Sequence, residues 1–124
     1  MNGALQLLIT ALIAVESHGN DSAHGRSGEV GCLQITQAVI DDVNRAQADF
    51  DFTLDDALFR ERAVLICEIY LRKWATVERL GYEPTLESMA RIWNGGPTGA
   101  TNPATLPYWA KVKRELQKLG VETP

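Results

Sequence analysis

Cysteine and histidine are scarce in this sequence, which has two of each among 124 residues. They form no CxxC pair, so the ligand spacing of a closed tetrahedral zinc site is missing, and we expect neither a metal nor another cofactor. Cys32 and Cys67 allow at most one internal disulfide, and the sequence leaves open whether they form it.

Positive charge is also in short supply. Lys and Arg number 12 against 16 Asp and Glu, which gives a formal net charge of −4. Nucleic acids and anionic membranes select clustered Lys and Arg, so this balance argues against both as partners. A neutral or mixed-charge substrate fits better.

The chain has no hydrophobic run long enough to cross a bilayer. Residues 4–15 are mostly apolar, but this segment is too short for a membrane span. No Lys or Arg precedes it, as one would in a signal peptide. We therefore expect a helix of the folded protein here, with no visible export signal and no stable membrane insertion.

Alternating strand patterns are almost absent, whereas helical spacing of apolar residues is common. The pattern predicts helices over about 4–17, 37–46, 55–80, 86–93 and 107–119. The length suits one compact domain over residues 1–124, because a chain of this size can bury a core without metals or many disulfides. The sequence thus predicts an all-α domain whose central, mostly buried helix is residues 55–80.

Three polar motifs stand where predicted elements end. Glu16 closes the first apolar helix, Gln34 ends the motif Gly31-Cys32-Leu33-Gln34, and Asn94 lies at a helix-to-loop break in Trp93-Asn94-Gly95-Gly96. Functional sites are commonly built at such junctions. These motifs are therefore the best candidates for a site.

The order of the motifs resembles that of the soluble lytic transglycosylase and goose-type lysozyme group. The resemblance spans about residues 8–112 and rests on four segments: Glu16-Ser17, Gly31-Cys32-Leu33-Gln34, Ala90 to Gly96, and Leu106 to Val112. It implies a lysozyme-like fold, with helices around a central helix and a glycan-binding cleft. It also implies peptidoglycan as substrate, cleaved between N-acetylmuramic acid and N-acetylglucosamine.

The resemblance also implies roles for individual residues. Glu16 falls on the catalytic acid, and Ser17 would help to shape its pocket. Gln34 and Asn94 fall on polar residues that line the saccharide cleft, and Tyr108 falls on a tyrosine near the catalytic carboxylate.

Two departures from the family pattern affect the expected pocket. Family members often have Met before the glutamine, where this chain has Leu33. Trp93 stands where Tyr is usual, and its indole would either stack on a sugar face or fill the core. Both changes bear on the shape of the pocket more than on the fold.

The chemistry can be argued from the residues as well. Breaking a glycosidic bond at neutral pH needs a carboxylic acid whose pKa is raised by apolar surroundings, and Glu16 follows Ile13 and Val15 in sequence. Most glycosidases add a second carboxylate. Glu29 is the best candidate for it, because it lies in the loop between Glu16 and the Gln34 motif.

No second carboxylate occupies a diagnostic motif position, so the non-hydrolytic reaction is favoured. Glu16 would act first as acid and then as base, and the muramic 6-hydroxyl would close a 1,6-anhydro ring. Hydrolysis by a goose-type lysozyme (a muramidase), with Glu29 as second carboxylate, is the alternative.

Two other classes stay open: a non-catalytic glycan-binding domain of a phage particle or secretion apparatus, and an unrelated helical interaction domain. The expected place of action is the periplasm or cell wall, in a phage-encoded endolysin, a virion-associated enzyme or a wall-remodelling accessory. We expect a monomer.

Overall fold

Helices dominate the computed structural model, which describes residues 3–124. Over these residues the helices are α1 (Gly3–Ser17), α2 (Gln37–Ala46), α3 (Arg60–Trp74), α4 (Val77–Leu80), α5 (Leu86–Gly95) and α6 (Leu106–Lys118). Short 3₁₀ turns occupy Leu54–Leu58, Gly99–Thr101 and Pro103–Thr105. The described part of the chain has no named strand, only two isolated antiparallel bridges that join His24 to Val30 and Val30 to Ile35. The predicted all-α class is confirmed.

The chain forms two compact units. The first, here called the terminal unit, consists of Met1–Val15 and Trp74–Pro124, and the second, the middle unit, is Glu16–Lys73. Both α1 and α3 cross from one unit into the other. The prediction of one functional domain over residues 1–124 stays a prediction.

Helix α1 is the apolar run near the N-terminus, and its predicted bounds agree with the structure to within one residue. Its buried side chains recur at spacings of three and four, as in an amphipathic helix: Leu8, Ile9, Ala11, Leu12 and Ile13. Over residues 3–124, no helix combines the length and the apolar character that crossing a membrane requires.

The middle unit is built on one face of α3. The buried side chains of this face follow the helical repeat: Ala63, Ile66, Cys67, Tyr70 and Leu71. They share the unit with buried side chains of the preceding segments, among them Val30, Leu33, Ile35, Ile40 and Val43. Leu65 and Ile69 point away from this face and are only half-buried. The helix is therefore amphipathic rather than buried all round.

The terminal unit contains α5 packed against α6 and against the two 3₁₀ turns that connect them. Thr85 caps α5, because its side chain accepts a hydrogen bond from the Ser88 N–H at 3.0 Å. The Ser88 hydroxyl oxygen in turn accepts a hydrogen bond from the Thr85 N–H, which completes a capping box. The predicted start of this helix at residue 86 is confirmed. The core of the unit includes Ile92, Trp93, Trp109, Val112 and Leu116.

The prediction of one continuous helix over residues 55–80 is wrong. The segment contains a 3₁₀ turn, α3 and α4, with extended backbone at Phe59 and at Thr76. Thr76 begins a new helix, since its side chain accepts a hydrogen bond from the Arg79 N–H at 3.3 Å. A threonine side chain that bonds to the backbone in this way competes with the continuing helical ladder. Apolar spacing alone did not reveal these breaks.

Candidate active site

Glu16 lies in the last turn of α1 and is half-buried. The helix stops directly after it, because His18 takes a left-handed backbone with φ of 54°. The Ser17 hydroxyl donates a hydrogen bond to the Cys32 carbonyl oxygen at 2.8 Å. This bond ties the end of α1 to the loop that carries the Gln34 motif, so two of the predicted motifs meet in the middle unit.

A fully buried thiol lies within electrostatic range of Glu16. Cys67, on the buried face of α3, has no exposed surface, and burial raises its pKa well above the ordinary value. The negative charges of Glu68 and Glu16 raise that pKa further. The thiol therefore stays neutral.

Cys32 is the second buried thiol of the middle unit. Burial is the largest cause that raises its pKa, and the charge and hydrogen bond of Asp21 add to it, whereas the Arg60 guanidinium opposes them. Both cysteines are free thiols. The disulfide that the sequence left open is therefore absent, and Arg60 instead holds the loop by donating hydrogen bonds to the Gly19 carbonyl oxygen at 2.6 Å and to Asp21 at 2.8 Å.

Gln34 has a left-handed backbone with φ of 52°, which is unusual for a residue other than glycine. Its backbone N–H and its side-chain Nε2 both donate to the Gly31 carbonyl oxygen, at 3.1 Å and 2.9 Å. The side chain is therefore folded back over its own loop, which leaves Oε1 as the free end of the amide.

That end of Gln34 converges with the carboxyl group of Glu29. A Cβ atom built on Gly25 would lie 2.7 Å from Gln34 Oε1 and 2.7 Å from Glu29 Oε1. Only a glycine leaves room for both. Glu29 is also held by its backbone, since its Oε1 accepts a hydrogen bond from the Ser27 N–H at 2.8 Å. The structure thus brings together the predicted residues Glu29 and Gln34.

Asn94 and Trp93 lie in the last turn of α5, in the terminal unit. Asn94 is exposed, whereas Trp93 is only 8% exposed. Of the two alternatives for Trp93, burial favours core packing, and a substrate-binding role for it stays a prediction. Gly96 ends the helix with φ of 84°, and its N–H donates to the Ile92 carbonyl oxygen at 2.9 Å.

A buried hydroxyl holds the loop that follows Asn94. Thr105 is 2% exposed, and its Oγ1 accepts a hydrogen bond from Arg91 Nε at 2.8 Å and donates toward the Gly99 carbonyl oxygen at 2.9 Å. Arg91 also bonds Glu87 at 2.9 Å, within α5. A Cβ atom built on Gly95 would lie only 2.5 Å from the methyl carbon of Thr105, which is too close. The glycine beside Asn94 is therefore required by packing.

Tyr108 lies in the first turn of α6, in the terminal unit, and is half-buried. Its role near the catalytic carboxylate stays a prediction. The predicted site residues are thus divided between the two units: Glu16, Ser17, Glu29 and Gln34 belong to the middle unit, and Trp93, Asn94 and Tyr108 to the terminal unit.

Sequence reasoning missed two members of the middle-unit site. Cys67 was considered only as a possible disulfide partner, although its spacing from Ala63 and Tyr70 places it on the apolar face of a helix. No signal in the sequence marks Gly25. Among residues 3–124, no cluster of three or more His, Cys, Asp or Glu side chains is placed to hold a metal ion.

Helices that end at polar motifs, with a half-buried carboxyl group at the first of those ends, agree with the predicted lysozyme-like fold. A chain from the crystal structure of Aeromonas hydrophila PliI in complex with Meretrix lusoria lysozyme has this fold: the TM-score is 0.74, over 92% of our chain and 93% of that chain. The two are 23% identical, so this likeness shows the fold alone.

Sequence relatives identify the family. The family described as "Transglycosylase SLT domain" matches residues 1–62. A lysozyme from Ostrea edulis is 31% identical over 111 residues, which are 86% of this chain and 77% of the relative. A lysozyme from Magallana gigas is 31% identical over 85 residues, which are 68% of this chain and 58% of that relative. The chain belongs to the transglycosylase SLT domain family of lysozyme-like proteins, as the order of its motifs predicted.

Proposed function

We propose that this protein cleaves the glycan strands of peptidoglycan between N-acetylmuramic acid and N-acetylglucosamine, with Glu16 as the general acid. The observation that best supports this is the position of Glu16, half-buried at the end of α1, which the Ser17 hydroxyl ties to the loop of the Gln34 motif. Glycosidases place the carboxyl group that protonates the leaving oxygen in a partly shielded position of this kind. The family and its lysozyme relatives support the same substrate.

The reaction that we propose uses one carboxyl group twice. Glu16 donates its proton to the glucosamine oxygen as the bond from that oxygen to muramic C1 breaks, and the muramic N-acetyl group assists from within the substrate. The Glu16 carboxylate then accepts the proton of the muramic 6-hydroxyl, whose oxygen bonds to C1. The products are a shortened strand and a 1,6-anhydromuramic end, and no water is consumed. Attack from within the same sugar has the entropic advantage of a preplaced nucleophile.

Hydrolysis is the second candidate, and the placement of Glu29 favours it. This carboxyl group lies beside the Gln34 amide in the same unit as Glu16. A second carboxylate in a glycosidase activates water or stabilises the positive charge that develops at C1. The relatives named lysozyme support this candidate as well.

Mass spectrometry of the products from purified peptidoglycan tests the proposal. With the parent protein we expect fragments one water lighter than the products of hydrolysis. Glu16→Gln keeps the size of the side chain but carries no acidic proton, so we expect a normal melting temperature and a loss of turnover of at least about a hundredfold. Fragments with ordinary reducing ends would establish hydrolysis instead.

Glu29→Gln is the matched control. Under the one-carboxylate reaction it retains most of the turnover, whereas under hydrolysis it loses about as much as Glu16→Gln. No cleavage of several wall types by the parent protein would overturn the catalytic proposal. Glycan binding that persists in Glu16→Gln would then favour the non-catalytic glycan-binding domain.

We propose the periplasm or cell wall as the place of action, because the substrate is there. A phage-encoded or secretion-associated setting, and a monomeric state, follow from the sequence only and stay predictions.

A further inference from the structure

The middle unit has a groove that no predicted site residue lines. Its volume is about 590 Å³, within the range of small-ligand sites. One wall comes from residues 45–50, where α2 ends and its following loop begins, and the other from the side of α3 that carries Leu65, Ile69 and Arg72. All of these residues belong to the same compact unit.

The floor of the groove is apolar. Leu65 and Ile69 are half-buried, and Phe50, which is 48% exposed, stacks on Phe52 with ring centroids 5.2 Å apart. An aromatic side chain is therefore left partly open to solvent next to two aliphatic ones. A ligand with small apolar groups would cover this surface.

The groove is separate from the surroundings of Glu16. Leu65 and Ile69 each lie two residues from Cys67, which on an α-helix is a rotation of about 200°. They therefore point to the opposite side of α3 from the thiol on which the charge of Glu16 acts. A ligand in the groove would not lie at the bond that Glu16 protonates.

The rim of the groove is cationic, although the chain as a whole is acidic. Arg45 is paired with Asp42 and Arg72 with Glu68, the latter at 3.7 Å. In both pairs the arginine side chain is much more exposed than its partner. The exposed fractions are 66% for Arg45 against 21% for Asp42, and 63% for Arg72 against 15% for Glu68. The guanidinium groups thus extend beyond the carboxylates toward solvent, where they remain open to a further anion.

Two more charged residues line the groove. Lys73 adds a third cation, with its Nζ 3.4 Å from the Asp42 carbonyl oxygen. Asp49 is the single acidic residue among those that line the groove within the described chain. The three cations outnumber Asp49 in the lining, although Arg45 and Arg72 are also paired with Asp42 and Glu68 outside it. An anion with apolar parts gains from such a rim and floor, whereas a neutral sugar gains little from the charges.

We propose that this groove binds the anionic peptide stem that muramic acid carries in peptidoglycan. The inference rests on the proposed function, which supplies the substrate. The stem combines free carboxylates with alanine methyl groups, and these match the cationic rim and the apolar floor. Because the groove faces away from Cys67, the bound stem belongs to a muramic unit other than the one cleaved at Glu16.

Binding of the stem in the groove therefore raises the affinity for the polymer and does not change the rate at which the glycosidic bond breaks. A second contact with the same polymer raises the apparent affinity through effective concentration. Loss of that contact raises KM and leaves kcat unchanged, since it contributes equally to the ground state and the transition state.

Direct binding tests the inference without cleavage. The ligand is the alanyl-isoglutamate dipeptide, and its amidated form, which lacks the free carboxylates, is the matched control. By calorimetry or NMR titration we expect the parent protein to bind the dipeptide, more weakly as salt rises. Arg45→Gln and Arg72→Gln should each weaken binding about fivefold, the upper range for an exposed charge pair.

Arg62→Gln is the control variant, because Arg62 lies on α3 outside the groove and has a similarly exposed pair with Asp56, at 3.0 Å. It should bind the dipeptide as the parent does. No dipeptide binding by the parent, equal binding of the amidated form, or an equal loss in Arg62→Gln would each overturn the inference.

Cleavage then separates this inference from the proposed function. If the parent cuts both stem-bearing and stem-free glycan strands, and Arg72→Gln raises KM only for the former, the groove binds the stem. If Arg72→Gln matches the parent on both, the inference fails and the proposed function stands. If the parent cuts neither, the proposed function fails, whereas dipeptide binding still decides the inference.

Discussion

Gly25 decides how closely Glu29 and Gln34 approach each other. Its φ is not positive, so alanine is compatible with the backbone, but an added Cβ would lie 2.7 Å from an oxygen of each side chain. Both obstacles are the ends of flexible side chains, which can move. The glycine thus controls the geometry of the site, and replacing it should change the free energy of unfolding only slightly.

We therefore expect Gly25→Ala to keep its free energy of unfolding within about 1 kcal/mol of the parent value and to lose about tenfold in kcat/KM. The loss follows from displacement of Gln34, which is predicted to line the saccharide cleft. Steady-state kinetics on peptidoglycan and chemical unfolding measure the two quantities.

Gly3→Ala is the control, because a Cβ at that position meets no atom within 4 Å. In a Gln34→Ala background, Gly25→Ala should have a smaller effect, since part of what it displaces is already gone. Full activity in Gly25→Ala would contradict this account of the site.

At the residue scale, the sequence located the carboxyl groups but not their surroundings. Glu16 and Glu29 were identified from motif order and loop position, which are local. Cys67, whose pKa the charge of Glu16 raises, is far along the chain and comes within electrostatic range of Glu16 only when the middle unit folds. A through-space neighbour of this kind has no sequence signature.

Among the elements, the segment after α5 is held in part by the buried hydroxyl of Thr105. Thr105→Val keeps the shape of the side chain but removes the acceptor of Arg91 Nε and the donor to the Gly99 carbonyl oxygen. An unsatisfied buried polar group is costly, so we expect the free energy of unfolding to fall by about 2 kcal/mol. Urea unfolding of the parent and the variant measures this change.

Thr101→Val is the matched control in the same loop. Thr101 is exposed, and its hydroxyl donates to the Thr98 carbonyl oxygen at 3.2 Å. We expect a change below about 0.5 kcal/mol, because solvent replaces that bond. Equal effects of the two substitutions would show that burial of Thr105 does not carry the stability of the loop.

The elements also show where periodicity is informative. The predicted bounds of α2 agree with the structure, and those of α1, α5 and α6 differ by no more than two residues. The sequence predicts one helix over residues 55–80 because apolar residues continue through them. The breaks at Phe59 and Thr76 depend on backbone conformation and side-chain capping, which apolar spacing does not report.

For the molecule as a whole, burial of Tyr70 makes stability depend on alkaline pH. Burial, aided by the charge of Asp42, raises the pKa of Tyr70 from 10.0 to about 12. Between these values the unfolded chain has lost the phenolic proton and the folded protein keeps it. The free energy of unfolding therefore falls as pH rises through this window, by about 2 kcal/mol. The raised pKa values of Cys32 and Cys67 act in the same direction.

Urea unfolding of the parent and of Tyr70→Phe from about pH 9 to about pH 12 tests this dependence. The variant has no phenolic proton, so its stability should fall less over that range, whatever its stability at neutral pH. Parallel curves for the two proteins would contradict the assignment to Tyr70.

The sequence by itself determined the all-α class, most helix bounds, the family and the carboxyl groups that are candidates for catalysis. Each of these depends only on the local spacing of residues or on the order of short motifs. Tertiary structure alone decided that Cys67 comes within electrostatic range of Glu16, that the side chains of Glu29 and Gln34 converge at Gly25, and that a groove rimmed by Arg45, Arg72 and Lys73 forms on α3. The reason is physical: these features depend on distances between residues far apart in sequence, and such distances are set only when side chains pack.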